Sequence, residues 1–271
     1  MRIKLIFLFG FLFFSSSVFS NSISVNEAQL EFEVKGNGKH VVLFEAGAIS
    51  GMKGWDSIWN KLPADITAIR YSRRGEGNSS SCEGNLTSIN YVNDLVELLK
   101  VLKIEKPLTL VSHSYGSKVA RYFASTYPDK VSSMLFIDPI NPRDVNIIEA
   151  VDPEGGKASN EALKLSDIKM GKENGWCLIK DIWDKKPSLG YGDIKDIPIT
   201  LIAGIRTYSE PKRLFDTDEA RELWGKYQSE WVLQFPQGKA VMAHKSGHFV
   251  HDDEPQLVLA ELKKLLRKAE F

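Results

Sequence analysis

An excess of charge of either sign is missing from this chain: 35 Lys and Arg stand against 35 Asp and Glu in 271 residues. No basic cluster is present to seat a phosphate backbone, so nucleic acid is not expected as a partner. Phosphate-binding loops are lacking too. Gly75-Glu76-Gly77 starts like a dinucleotide fingerprint but has Ser80 where the third glycine belongs, and no G-x-x-x-x-G-K-S/T stretch occurs, which argues against nucleotides. Cysteine is scarce, Cys82 and Cys177 being the only two. No apolar run reaches the roughly 20 residues that a membrane-spanning helix needs.

The one pronounced apolar run, Leu5–Phe14, follows Arg2 and Lys4 and precedes Val18-Phe19-Ser20. A charged start, a short apolar stretch and small residues before a cut are the layout of a secretory signal peptide. Cleavage is expected after Ser20, giving an exported protein, periplasmic or secreted, with no stable membrane span once residues 1–20 are removed. No cysteine follows the run, so a lipid anchor is not expected. An oxidising compartment permits a Cys82–Cys177 disulfide. Its loop of about 95 residues would contribute about 3–4 kcal/mol by restricting the unfolded chain; two unpaired thiols are the alternative.

From residue 21 onward a single α/β domain is expected. Gln29–Val34 alternates, meets Gly36-Asn37-Gly38 and continues into His40–Glu45, which predicts an edge hairpin. Strands then alternate with helices: Ile66–Tyr71, a helix over Tyr91–Lys103, a strand from Leu108, a helix with Val119, Ala120, Phe123 and Ala124 on one face, and strands at Ser133–Ile137, Ile197–Ala203 and Val241–Ala243. This order predicts a mostly parallel sheet with helices on both faces. From Asn141 to about Lys195 turn residues and aromatics (Trp176, Trp183, Tyr191) replace any clear strand.

The stretch Leu108–Ala120 passes from strand to helix with almost no loop, and Ser114 sits at the apex of Ser112-His113-Ser114-Tyr115-Gly116. So sharp a turn needs small residues two positions either side. The stretch resembles the nucleophile elbow of α/β-hydrolases, usually G-x-S-x-G, with Ser112 in place of the first glycine. Two further segments are similar to that superfamily. Glu45-Ala46-Gly47-Ala48 resembles its oxyanion loop, which implies the backbone amides of Ala48 and Tyr115 as oxyanion donors. Tyr71-Ser72-Arg73-Arg74-Gly75-Glu76-Gly77-Asn78-Ser79 resembles its Y-D-x-x-G-x-G-x-S segment, with Ser72 where Asp is usual. The resemblance also makes the 141–195 region a small helical cap, which a Cys82–Cys177 bridge would tie to the core.

A serine hydroxyl needs a base, and the base an orienting acid; the superfamily orders them Ser, acid, His. Of five histidines, His40 and His113 do not follow the elbow. His248, in Gly247-His248-Phe249 before Asp253-Glu254-Pro255, resembles the superfamily's histidine loop and is the expected base. His244 and His251 read as solvated loop residues. The acid usually lies three residues after the glycine that ends the next-to-last strand, but Thr207 occupies that place after Gly204. Two carboxylates remain open: Asp138, at the end of the strand after the elbow helix, where some α/β-hydrolases carry the acid, and Glu210.

The resemblance therefore implies an exported serine hydrolase that cleaves small, apolar carboxylic esters through an acyl-enzyme. Ser114, His248 and Asp138 are its triad, Glu210 being the alternative acid, with no metal and no organic cofactor. Amide or lactone hydrolysis, acyl transfer, or a catalytically inactive ligand-binding protein are the other readings. Nothing in the sequence speaks to oligomeric state.

Overall fold

In the computed structural model, which describes residues 21–184 and 194–269, consecutive strand residues feed opposite faces of one sheet. In β3 (His40–Glu45) Val41 and Leu43 enter one apolar core while Val42 and Phe44 enter the other. The same split holds for β6 (Val131–Ile137), where Met134 and Phe136 oppose Leu135 and Ile137. A strand apolar on both sides must be covered on both.

Along the chain the elements are β1 (Asn21–Val25), β2 (Ala28–Lys35), β3, α1 (Asp56–Trp59), β4 (Ile66–Tyr71), α2 (Ser88–Val101), β5 (Leu108–His113), α3 (Gly116–Thr126), β6, α4 (Asp144–Val151), α5 (Gly156–Asn174), α6 (Ile179–Trp183), β7 (Ile199–Gly204), α7 (Asp218–Val232), β8 (Gly238–Ala243), α8 (Val250–Asp253) and α9 (Pro255–Lys268). The eight strands lie in the order β1-β2-β4-β3-β5-β6-β7-β8, and all pairings beyond β4 are parallel. Helices α2 and α3 supply Leu95, Leu98, Val119 and Phe123 to one core; α1 and α9 supply Ile58, Trp59, Leu262 and Leu265 to the other. Among the described residues no helix is long and apolar enough to cross a membrane. Residues 1–20, read above as a signal peptide, lie outside the described residues.

The expected β2–β3 hairpin is not formed. β2 pairs antiparallel with β4, β3 pairs parallel with β4 on its other side, and the edge hairpin is β1–β2. The Gly36-Asn37-Gly38 link crosses the start of β4 instead of turning back. Gly36 has φ +78°, and a β-carbon on Gly38 would lie 1.9 Å from the Asp65 carbonyl oxygen. The glycines serve that close crossing.

Between β6 and β7 the described chain carries α4, α5 and α6, the helical cap. Cys82 and Cys177 are disulfide-bonded, and Leu86 N–H donates to the Cys177 carbonyl at 3.0 Å. A second anchor is buried: Lys118 of α3 lies 3.0 Å from Asp181 of α6, whose other carboxylate oxygen accepts from Tyr115 Oη at 2.8 Å and Ser88 N–H at 2.9 Å. The cap thus grips the residue that follows Ser114.

Candidate active site

Parallel sheets gather their sites beyond the carboxyl ends of the strands, and Ser114, Asp138 and His248 follow β5, β6 and β8 there. Ser114 adopts φ +48°, a left-handed conformation that costs a non-glycine residue about 1–3 kcal/mol. Its backbone is held from several directions. Ser114 N–H donates to Ile137 O, and Ser114 O accepts from the amides of Ser117 and Ile140 and from the Ser117 hydroxyl. The need for a small residue at 116 is physical: a β-carbon there would stand 2.4 Å from the carbonyl oxygens of Glu45 and Ala46.

His248 Nδ1 lies 2.6 Å from Asp138 Oδ2. A carboxylate only accepts, so Nδ1 carries the proton and Nε2 keeps its lone pair. Asp138 is 1 % exposed, and its other oxygen accepts from Gly204 N–H at 2.9 Å and from Trp224 Nε1 at 2.7 Å. Asp138 also has positive φ, +40°. Glu210 is exposed in the loop after β7, and Asp138 is the carboxylate that meets His248. The end of β7, where Thr207 replaces an acid, contributes its Gly204 amide to Asp138 instead.

The histidine loop is held by the acidic residues after it. Asp253 accepts from Gly247 N–H at 3.0 Å, Glu254 from Ser246 Oγ at 2.6 Å, and His113 Nε2 donates to the His248 carbonyl at 2.9 Å. His244 is exposed, as expected. His251 is not the solvated residue anticipated: it is 2 % exposed, its ring 5.0 Å from Trp55 and 4.6 Å from His113. The short helix α8 turns it inward.

Burial, chiefly, and the two neighbouring imidazoles hold the imidazole of His113 well below its ordinary pKa of 6.5; burial lowers that of His251 too. Both resist protonation in the folded protein, while the unfolded chain binds protons as pH falls through about 6.5. Stability is therefore complete above that pH and lost below it, by up to about 1.4 kcal/mol per pH unit for each histidine. Urea midpoints should fall steadily from pH 7.5 to 5, and His113→Gln should flatten the fall; a constant wild-type midpoint contradicts this.

Sequence reading missed Trp224 and a buried charge cluster beneath the Ala46-Gly47-Ala48 loop. Arg73 pairs with Glu45, donates to the carbonyls of Ala46 at 2.7 Å and Gly47 at 2.6 Å, and pairs with Glu76 at 2.7 Å. Glu76 in turn accepts from Ile49 N–H at 2.9 Å. Burial pushes the Glu45 carboxyl up, against the pull of Arg73. Because a peptide's C=O and N–H point oppositely, fixing Gly47 O on Arg73 turns the Ala48 N–H away from it. Arg73→Met strands two buried carboxylates and should cost about 3–5 kcal/mol in urea unfolding; a loss below about 1 kcal/mol would contradict that role.

Ser114 and His248 open onto a cavity of about 770 Å³ whose walls include Ile148, Leu163, Trp224 and Phe249. Among the described residues no group of three or more His, Cys, Asp or Glu is placed to hold a metal ion.

Residues 39–158 match a family model described as the alpha/beta hydrolase fold. An uncharacterized protein of Bacillus subtilis, YqjL, is 23% identical over 225 residues, 83% of this chain and 82% of that protein. The esterase YbfF of Escherichia coli K12 is 22% identical over 196 residues, 64% of this chain and 72% of its own. Among solved structures, a thermophilic esterase from Thermogutta terrifontis superposes with a TM-score of 0.63 at 18% identity, over 92% of this chain and 97% of that one.

Proposed function

This chain has the α/β-hydrolase fold, and on that premise we propose that it is an exported serine hydrolase that cleaves carboxylic esters through an acyl-enzyme. The observation that carries the reading is the 2.6 Å contact from His248 Nδ1 to Asp138, on a cavity shared with a serine at a strained strand-to-helix apex. A disulfide between Cys82 and Cys177 is compatible with export. Similarity to proteins named as esterases supports the ester class.

In the proposed reaction Ser114 Oγ attacks the ester carbonyl while His248 Nε2 takes its proton. The oxyanion forms against the N–H groups of Ala48 and Tyr115; among the described residues neither amide donates a loop or turn hydrogen bond. Each such donor is worth about 3–4 kcal/mol of barrier. Collapse expels the alcohol, which receives the proton from His248. Water then attacks the acyl-Ser114 ester by the same route, releasing the acid and restoring the hydroxyl. Asp138 fixes the tautomer throughout.

A panel of aryl esters of increasing acyl length tests the reading. Turnover well above buffer hydrolysis, passing through an optimum in chain length, is expected; no turnover of any ester overturns it.

A further inference from the structure

We propose that Trp224 is a positioning residue whose indole N–H keeps the Asp138 carboxylate facing His248; the inference rests on the serine-hydrolase reading and names the side chain that sets its acid. The terminal torsion of an aspartate is broad, so bonds to the carboxylate must select its orientation. Here Oδ2 faces His248 Nδ1 at 2.6 Å, while Oδ1 receives Trp224 Nε1 at 2.7 Å and Gly204 N–H at 2.9 Å. The Gly204 amide belongs to the end of β7 and is fixed by the sheet. Trp224 is the one side chain that donates to Oδ1 among the described residues, and Asp138 itself is buried. Without the indole N–H, one amide alone holds an oxygen that burial keeps from water, and the carboxylate is freer to turn from His248.

Helix α7 is joined to the turn that carries the acid. Ala220, Trp224 and Gln228 recur every four residues, so they share one face of the helix, and all three are buried. One turn beyond Trp224, Gln228 Nε2 donates to the Pro139 carbonyl at 2.6 Å. From the other side, Asn141 Nδ2 donates to the Tyr227 carbonyl at 3.3 Å. The helix therefore bonds to residues 138, 139 and 141 together. Glycine at 225 lets it approach the sheet: a β-carbon there would lie 3.2 Å from Ile205 Cγ2 and 3.3 Å from Met242 Sδ. A buried indole N–H ordinarily finds some acceptor; the consequence here comes from its acceptor, the carboxylate that meets His248. Trp224 also walls the cavity shared by Ser114 and His248, so its bond and its bulk have to be removed separately.

An isosteric replacement makes that separation. Benzothienylalanine at position 224 keeps the shape of the ring and has sulfur in place of the N–H. With a good aryl ester that protein should lose about 10- to 100-fold in kcat and keep KM within about threefold, the scale of one hydrogen bond to a charged group. Trp224→Phe, which trims the wall as well, should lose at least as much in kcat and also raise KM. Wild-type kcat in the benzothienylalanine protein, or a change confined to KM, makes Trp224 a wall only; it overturns the proposal and leaves the serine hydrolase standing. A second readout needs no turnover. The Nδ1 proton of His248, bonded to a carboxylate, should give a proton NMR signal far downfield of the amides, identified by its loss in His248→Ala. The benzothienylalanine protein should shift or broaden that signal, and an unchanged signal also overturns the proposal. Failure of the hydrolase reading is seen separately, as wild-type protein that turns over no ester while the NMR comparison still reports on Trp224.

Discussion

Asp138→Asn is expected to lower kcat for a good aryl ester by about 10⁴-fold, the scale on which a wrong histidine tautomer acts, while Glu210→Gln leaves it within about twofold. The size follows from the bonds around the carboxylate. Gly204 N–H and Trp224 Nε1 both donate to Asp138 Oδ1. In the asparagine variant those two donors hold the amide oxygen in that place and turn the amide NH₂ toward His248. A donor facing Nδ1 forces the proton onto Nε2, where it blocks proton transfer from Ser114. Steady-state rates of the two variants decide the matter. A large loss in Glu210→Gln with a small one in Asp138→Asn would reassign the acid.

Ser114→Ala should cost more, about 10⁶-fold in kcat, because removing the nucleophile forfeits the covalent route and leaves only binding and oxyanion stabilisation. The loss should exceed that of Asp138→Asn, in which the hydroxyl is still present but poorly deprotonated. Stability should change in the opposite sense or little. Ser114 sits at φ +48°, and alanine tolerates that conformation no better than serine, so a urea midpoint close to wild type is expected. A double variant lacking both groups should be about as slow as Ser114→Ala alone, since residues that act as a unit are not additive.

How far the sequence spoke depends on the range of the interaction. Strands buried on both faces, such as His40–Glu45 and Ile66–Tyr71, were legible to the residue because their signal is local. So was the elbow, whose small residue at 116 answers a carbonyl 2.4 Å from any β-carbon. The partner of β2 was not legible. Gly36-Asn37-Gly38 reads as a hairpin turn, and only the insertion of β4 between β2 and β3 shows otherwise. Asp138 and Glu210 could both be named, but choosing between them required knowing that β6 ends beside β8's histidine loop. Trp224 is buried on α7 and carries no local motif, yet its indole N–H serves Asp138. His251, written in a polar stretch, is buried because α8 packs it on Trp55. The cap was only half legible. Its longest helix, α5, exposes Leu163 and Leu165 and has no clean apolar stripe, so its sequence carries little helical periodicity.

The central claim is that Ser114 is a nucleophile activated through His248, and covalent labelling tests it most directly. Wild-type protein treated with a fluorophosphonate should gain one adduct in its intact mass, and peptide mapping should place it on Ser114. Ser114→Ala should gain none, and His248→Ala should label far more slowly. Stoichiometric labelling that persists in Ser114→Ala, or an adduct mapped to another residue, would contradict the account.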